Sequence, residues 1–116
     1  MITRINPGSR LSAATVFGGF VFVSGQVPDD LEAPIGAQAA EVLAKIDAIL
    51  AEAGTDKSRI LSANVWLPAI GDFAAFNGVW DPWLPAGAAP ARACVEARLA
   101  NPAIKVEVAV IAALPG

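Results

Sequence analysis

Hydrophobic residues form two kinds of pattern in the first half of the chain, and each predicts a different element. Mostly apolar segments at 13–17 and 20–24 flank Gly18-Gly19, a pair typical of a tight hairpin turn. A helical period follows, and Gly54 is a suitable residue to end that helix. The apolar face of the predicted helix consists of Val42, Leu43, Ile46, Ile49, Leu50 and Ala53.

The middle of the chain predicts a strand and a second helix. Residues 59–67 favour a strand that ends before Pro68. The next helix is expected from about Asp72, and Pro82 should kink or end it. Its apolar residues at helical spacing are Phe73, Phe76, Val79, Trp80, Trp83 and Leu84.

Two further extended segments, at 91–99 and 104–111, carry charges at alternate positions, and Asn101-Pro102 between them predicts a hairpin. We expect the alternate residues from Ala93 to Leu99 to lie in the core, together with Val106, Val108 and Val110. An arginine and a glutamate would then face one shared space. The side chains predicted on the face opposite the core are Arg92, Cys94, Glu96 and Arg98, with Lys105, Glu107, Ala109 and Ile111.

The order of hairpin, helix, strand, helix and hairpin predicts an α+β fold with a mixed β-sheet and both helices packed on one face. No linker or repeat divides residues 1–116, so we expect a single domain. The other face of the sheet would still carry apolar groups. A partner subunit is therefore expected to cover that face in a closed cyclic assembly, whose grooves could hold small ligands.

Composition excludes several classes of chemistry. The chain has no histidine, no tyrosine and one cysteine, so it lacks most acid-base and metal-ligand sets, and it has no nucleotide-binding motif. The net charge of −3 disfavours nucleic acid as a partner. Residues 16–23 are too short an apolar run to span a membrane, and no signal segment is evident. We expect a soluble, cytoplasmic protein without a bound metal.

Four segments stand out, Val-Ser-Gly-Gln-Val-Pro at 23–28, Phe-Ala-Ala-Phe-Asn at 73–77, Pro-Ala-Arg-Ala-Cys-Val at 90–95 and Lys-Val-Glu-Val at 105–108. Together they resemble the RidA/YjgF family of reactive-intermediate deaminases, and the resemblance runs nearly from end to end. Residues 10–12 and 79–83 are more similar to the YoaB-like branch of the family.

The resemblance implies a chorismate-mutase-like α+β homotrimer with clefts between its subunits. It also implies cofactor-independent hydrolysis of enamine or imine acids, such as 2-aminoacrylate or 2-iminopropanoate, to 2-oxo acids and ammonia. A small 2-imino or 2-oxo acid would be the partner.

The resemblance also assigns roles to individual residues. Arg92 would bind the substrate carboxylate through a bidentate pair, which suits a guanidinium. Glu107 would position the attacking water, and Cys94 would supply backbone contacts at the cleft. Ser24 and Gly25 would line the cleft.

Three further positions complete the implied site. Asn77 would lie near the cleft. RidA itself has a tyrosine in the loop before the first hairpin strand, and this chain has Leu11 there, next to Arg10. Arg10 could add a second positive charge, and the substrate preference could differ as a result.

Each of these residues also has a structural interpretation. Taken alone, Arg92 would pair with Glu96 or Glu107 at the surface. Cys94 would be a small buried apolar group rather than a nucleophile, because no histidine is present to activate it. At the level of the protein, two alternatives to a deaminase are a non-catalytic trimer that binds small carboxylates or a protein partner, and an endoribonuclease or translation-linked role.

Overall fold

Six strands and two α-helices form the fold in the computed structural model, which describes all of residues 1–116. Short 3-10 turns at Lys57–Arg59 and Ile70–Asp72 flank the fourth strand. The elements are β1 (Thr3–Pro7), β2 (Ser12–Phe17), β3 (Phe20–Gln26), α1 (Ile35–Ala53), β4 (Ile60–Leu67), α2 (Phe73–Trp83), β5 (Ala91–Glu96) and β6 (Glu107–Ala113).

All six strands belong to one mixed sheet with the order β1-β2-β3-β6-β4-β5. Neighbouring strands are antiparallel except β4 and β5, which are parallel. Helices α1 and α2 pack against each other and cover one face of the sheet, where the buried side chains form a single core. The predicted α+β fold is therefore confirmed. Neither helix combines the length and the apolar composition that crossing a membrane would require.

The elements with strong local signals are found where the sequence predicts them. Gly18 and Gly19 adopt φ values of 61° and 85° at the β2–β3 turn, a conformation that favours glycine at both positions. Gly54 ends α1 in the left-handed conformation with φ 90°. Pro82 lies one residue before the end of α2, so the helix runs to Trp83 without a break. The edge strand β1 lacks a clear pattern because Ile5 is its only buried residue.

The predicted hairpin of the last two strands is wrong. Strands β5 and β6 do not pair with each other, because β4 lies between them and pairs with both. Helix α2 carries the chain back to the starting end of β4, so β5 runs parallel to β4 at the edge of the sheet. Strand β6 instead occupies the centre, where Val108, Val110 and Ala112 are buried between β3 and β4.

The core side of β5 is also opposite to the prediction. Arg92 is paired with Ala63 of β4, which is buried under the helices, so Arg92 and Cys94 point toward α2. Ala93 and Val95 lie on the uncovered face, where Val95 is 49% exposed. The alternation along β5 was correctly predicted, but the packing of α2 decides which set of side chains is covered.

We call the uncovered side of the sheet the open face. Its side chains include Trp66, Val95, Ile111 and the phenylalanines of the β2–β3 hairpin, Phe17, Phe20 and Phe22. Each of the three phenylalanines is more than two-fifths exposed. Exposed apolar side chains grouped on one face are typical of a contact surface.

Candidate functional site

Arg92 lies half-buried on the edge strand β5, directly beneath α2. Its Nη1 donates a hydrogen bond of 2.9 Å to Oδ1 of Asn77. The guanidinium carbon lies 5.3 Å from the ring centroid of Trp80, 5.7 Å from that of Phe73 and 5.8 Å from that of Phe76. These cation-π contacts and the amide hold the guanidinium in place.

Helix α2 presents all four partners of Arg92 because they recur at helical spacing. Residues 73, 76, 77 and 80 fall on one side of the helix, the side that faces β5. The sequence predicts Trp80 only as core or interface, and it assigns Phe73 and Phe76 only to an apolar helix face. The signal for their contact with Arg92 is the spacing of three aromatic residues around Asn77.

No carboxylate neutralises Arg92. The ion pairs of this chain are those of Lys45 with Asp29 and Glu41, so the salt bridge of Arg92 with Glu96 or Glu107 does not form. Glu96 instead accepts a hydrogen bond of 3.1 Å from the backbone N–H of Ile70. The guanidinium therefore retains unpaired N–H donors for an anion.

Ser24, Gly25 and Glu107 form a second cluster on the adjacent strands β3 and β6. The register of these strands shifts between Val23 and Gln26, so β3 carries an extra residue there. This bulge places Gly25 so close to Glu107 that a Cβ added to the glycine would lie 2.9 Å from Cδ of the glutamate. Gly25 thus makes space for the carboxylate of Glu107.

The hydroxyl of Ser24 connects this cluster to the loop between β1 and β2. It donates a hydrogen bond of 2.6 Å to the carbonyl oxygen of Ser12. The loop itself is closed by a bond of 2.7 Å from Gly8 N–H to the carbonyl of Leu11. Arg10 and Leu11 are exposed in this loop, which is joined to the Ser24 cluster through the bond to Ser12.

The two clusters lie on opposite faces of the sheet, so Arg92 and Glu107 do not share a space within one chain. Arg92 is paired with Ala63 of β4 and Glu107 with Trp66. These two β4 residues are an odd number of positions apart and therefore point to opposite faces. The predicted common space is wrong for a single chain because it assumed that β5 and β6 form a hairpin.

Cys94 lies two residues after Arg92 on the same side of β5 and is half-buried. Burial raises the pKa of its thiol, and the nearby charge of Arg92 offsets only part of that rise. The thiol is therefore protonated at neutral pH, which suits a packing group better than a nucleophile.

A surface cavity of about 330 Å³ lies between the end of β4 and the segment after β5. It contains none of the residues that the sequence assigns to the site. Its lining residues are Pro68, Arg98, Leu99, Asn101 and Pro102.

Known proteins match this chain over nearly its whole length. The family model described as Endoribonuclease L-PSP matches residues 1–114. The RutC family protein of Haemophilus ducreyi is 45% identical over 114 residues, which cover 98% of this chain and 97% of that protein. The RutC family protein YoaB of Escherichia coli is 42% identical over 113 residues, with 97% and 98% covered.

The fold comparison agrees with the sequence comparison. The crystal structure of a member of the YjgF protein family from Neisseria meningitidis superposes with a TM-score of 0.97 at 46% identity. The match covers 100% of this chain and 97% of that one. Both residue clusters therefore lie within the matched region.

Proposed function

This chain belongs to the endoribonuclease L-PSP family, which includes the YjgF and RutC proteins, and on this basis we propose that it hydrolyses small imine and enamine acids to 2-oxo acids and ammonia. The observation that carries the proposal is the arginine without a carboxylate partner, whose guanidinium is held by Asn77 and three aromatic rings. A guanidinium fixed in this way is suited to bind a substrate carboxylate through two parallel hydrogen bonds.

The reaction consumes one water molecule and needs no cofactor. The water oxygen forms a bond to the imine carbon, and the electron pair of the C=N double bond moves to nitrogen. Glu107 accepts a proton from the water and passes one to the nitrogen. The hydroxyl group of the resulting carbinolamine gives its proton to the nitrogen as the C–N bond breaks, so ammonia leaves and the carbonyl group of the 2-oxo acid forms. An enamine acid follows the same course after its carbon 3 is protonated to give the imine.

The proposed site requires two protomers. Because Arg92 and Glu107 point to opposite faces of their own sheet, one protomer would contribute Arg92, Asn77 and Cys94. A neighbouring protomer would contribute Glu107 with Ser24 and Gly25. The apolar open face supplies a surface for this contact, and we propose a closed homotrimer with one cleft at each boundary.

A coupled assay tests the activity. A dehydratase generates 2-aminoacrylate, and the release of the 2-oxo acid is compared with the spontaneous rate. We expect the wild-type protein to accelerate release and Arg92→Ala and Glu107→Ala to abolish the acceleration. Equal rates for the wild type and Arg92→Ala would contradict the proposal.

Subunit exchange tests the shared cleft. Arg92→Ala and Glu107→Ala are inactive alone, but each mixed trimer would contain one cleft with both native residues. We therefore expect activity to return when the two variants are unfolded together and refolded, and not when either is refolded alone. A mixture of trimers that stays inactive would show that both residues act from the same chain or that neither acts.

The two alternative functions predict other outcomes. A non-catalytic carboxylate binder would bind 2-oxo acids in an Arg92-dependent manner in titration calorimetry but would accelerate no hydrolysis. RNA cleavage would require phosphate contacts and a general base, whereas this chain has a net charge of −3 and no histidine. Arg92-dependent cleavage by protein freed of other nucleases would favour that role over the deaminase.

A further inference from the structure

The three aromatic rings around Arg92 differ in their exposure. Phe76 is fully buried and Trp80 is 4% exposed, whereas Phe73 is 42% exposed. The ring centroid of Phe73 nevertheless lies 5.7 Å from the guanidinium carbon of Arg92. A molecule bound to the guanidinium can therefore contact Phe73, while the other two rings are covered by the rest of the core.

The direction from which an anion can reach Arg92 is also restricted. Nη1 already donates to Asn77, and Phe76 and Trp80 close the interior side of the guanidinium. A carboxylate must approach from the solvent side, where Phe73 is exposed. In a 2-imino acid, the side chain is attached to the carbon next to the carboxylate, so it extends close to this ring.

The segment before Phe73 also exposes an apolar side chain. Ile70 is 45% exposed in the 3-10 turn one helical turn earlier, and its backbone N–H is held by the carboxylate of Glu96. The carboxylate of Glu96 is thus engaged with the backbone of this turn.

We propose that Phe73 forms an apolar wall of the substrate pocket and makes the protein prefer 2-imino acids with larger apolar side chains over 2-iminopropanoate. This inference rests on the proposed function, because it assumes that Arg92 binds the substrate carboxylate. The wall contacts the part of the substrate that does not react, so it acts on specificity rather than on the chemical step.

The test compares substrates that differ only in their side chain. An amino-acid oxidase generates the 2-imino acids of alanine, leucine and phenylalanine, and the acceleration of ammonia release gives kcat/KM for each. We expect the kcat/KM of the wild type to be about tenfold or more higher for the 2-imino acids of leucine and phenylalanine than for that of alanine. Phe73→Ala should lower this ratio about tenfold. Phe73→Leu, which keeps an apolar wall, should retain most of it.

The ratio of kcat/KM values for different substrates distinguishes two roles of Phe73, namely contact with the substrate side chain and the cation-π contact that holds Arg92. Capture of the carboxylate is common to all the substrates, so weaker capture lowers every value and leaves the ratio unchanged. An unchanged ratio in Phe73→Ala would overturn the inference while leaving the proposed function intact. A wild type that accelerates none of the reactions would instead remove the proposed function.

Product binding provides a measurement that needs no variant. Titration calorimetry of the wild-type protein with pyruvate and phenylpyruvate compares a methyl group with an aromatic side chain on the same 2-oxo acid. Tighter binding of phenylpyruvate supports the wall. Equal affinities, or tighter binding of pyruvate, count against it.

Discussion

The carboxylate of Glu107 occupies the space in which Gly25 would carry a side chain. Gly25 does not have a left-handed backbone conformation, so chain geometry alone does not require glycine there. The absence of a Cβ at Gly25 leaves room for the side chain of Glu107, and the bulge in β3 brings the two residues together. A residue with no functional group of its own thereby helps to set the position of the carboxylate.

Gly25→Ala tests this relationship. We expect the variant to fold, because the end of a glutamate side chain can move aside, and to lower kcat for imine hydrolysis about 100-fold, because a reacting group displaced by about 1 Å loses that much. In a Glu107→Asp background, whose shorter side chain leaves room for the added methyl group, the same substitution should cost much less activity. An equal loss in both backgrounds would show that Gly25 acts by another route.

The side chain of Asn77 should affect the affinity of Arg92 for a 2-oxo acid. Asn77→Asp replaces the amide with a carboxylate of the same shape, which would pair with Arg92 and compete with the substrate. Asn77→Ala only removes one hydrogen bond. We therefore expect a larger loss of 2-oxo acid affinity in Asn77→Asp, about tenfold or more, than in Asn77→Ala, measured by titration calorimetry. The reverse order would mean that Arg92 does not bind the carboxylate.

The open face should hold the assembly together. Phe22 is 43% exposed on this face, and a lysine in its place would put a charge into the proposed contact. We expect Phe22→Lys to sediment as a monomer and to lose imine hydrolysis. Ala40→Lys is the control, because Ala40 is exposed on helix α1 over the other face. An assembled and active Phe22→Lys protein would contradict the assignment of this surface.

Gln38 should be important for stability although it is polar. Its side chain is fully buried, and its Nε2 donates bonds of 3.0 Å to the carbonyls of Ala33 and Ala103, while Oε1 accepts one of 2.7 Å from Lys105 N–H. Gln38→Leu leaves three backbone groups unpaired, so we expect a loss of about 3 kcal/mol in the free energy of unfolding.

Urea unfolding measures that loss against a matched variant. Gln26→Leu removes an amide that makes one bond of 3.0 Å, to the carbonyl of Ser24, in a partly exposed position. We expect this control to lose about 1 kcal/mol or less. Similar losses in the two glutamine variants would show that the network around Gln38 contributes little.

Sequence patterns predicted elements whose signals are local. The β2–β3 hairpin and the end of helix α1 depend on glycines at fixed positions, and both were found there. The pairing of β5 was wrong because the choice of a partner strand depends on residues far away in the sequence. A proline and an asparagine between two extended segments are compatible with a hairpin, but the buried side chains of β6 require a central place in the sheet.

The sequence by itself determined the alternation along β5 and β6, the chemistry available to a histidine-free chain, and the resemblance that singled out Arg92 and Glu107. Only the tertiary structure decided that these two residues point to opposite faces and that three rings of α2 surround Arg92. The reason is physical: alternation fixes which side chains of one strand share a side, whereas packing against helices and neighbouring strands fixes what that side contacts.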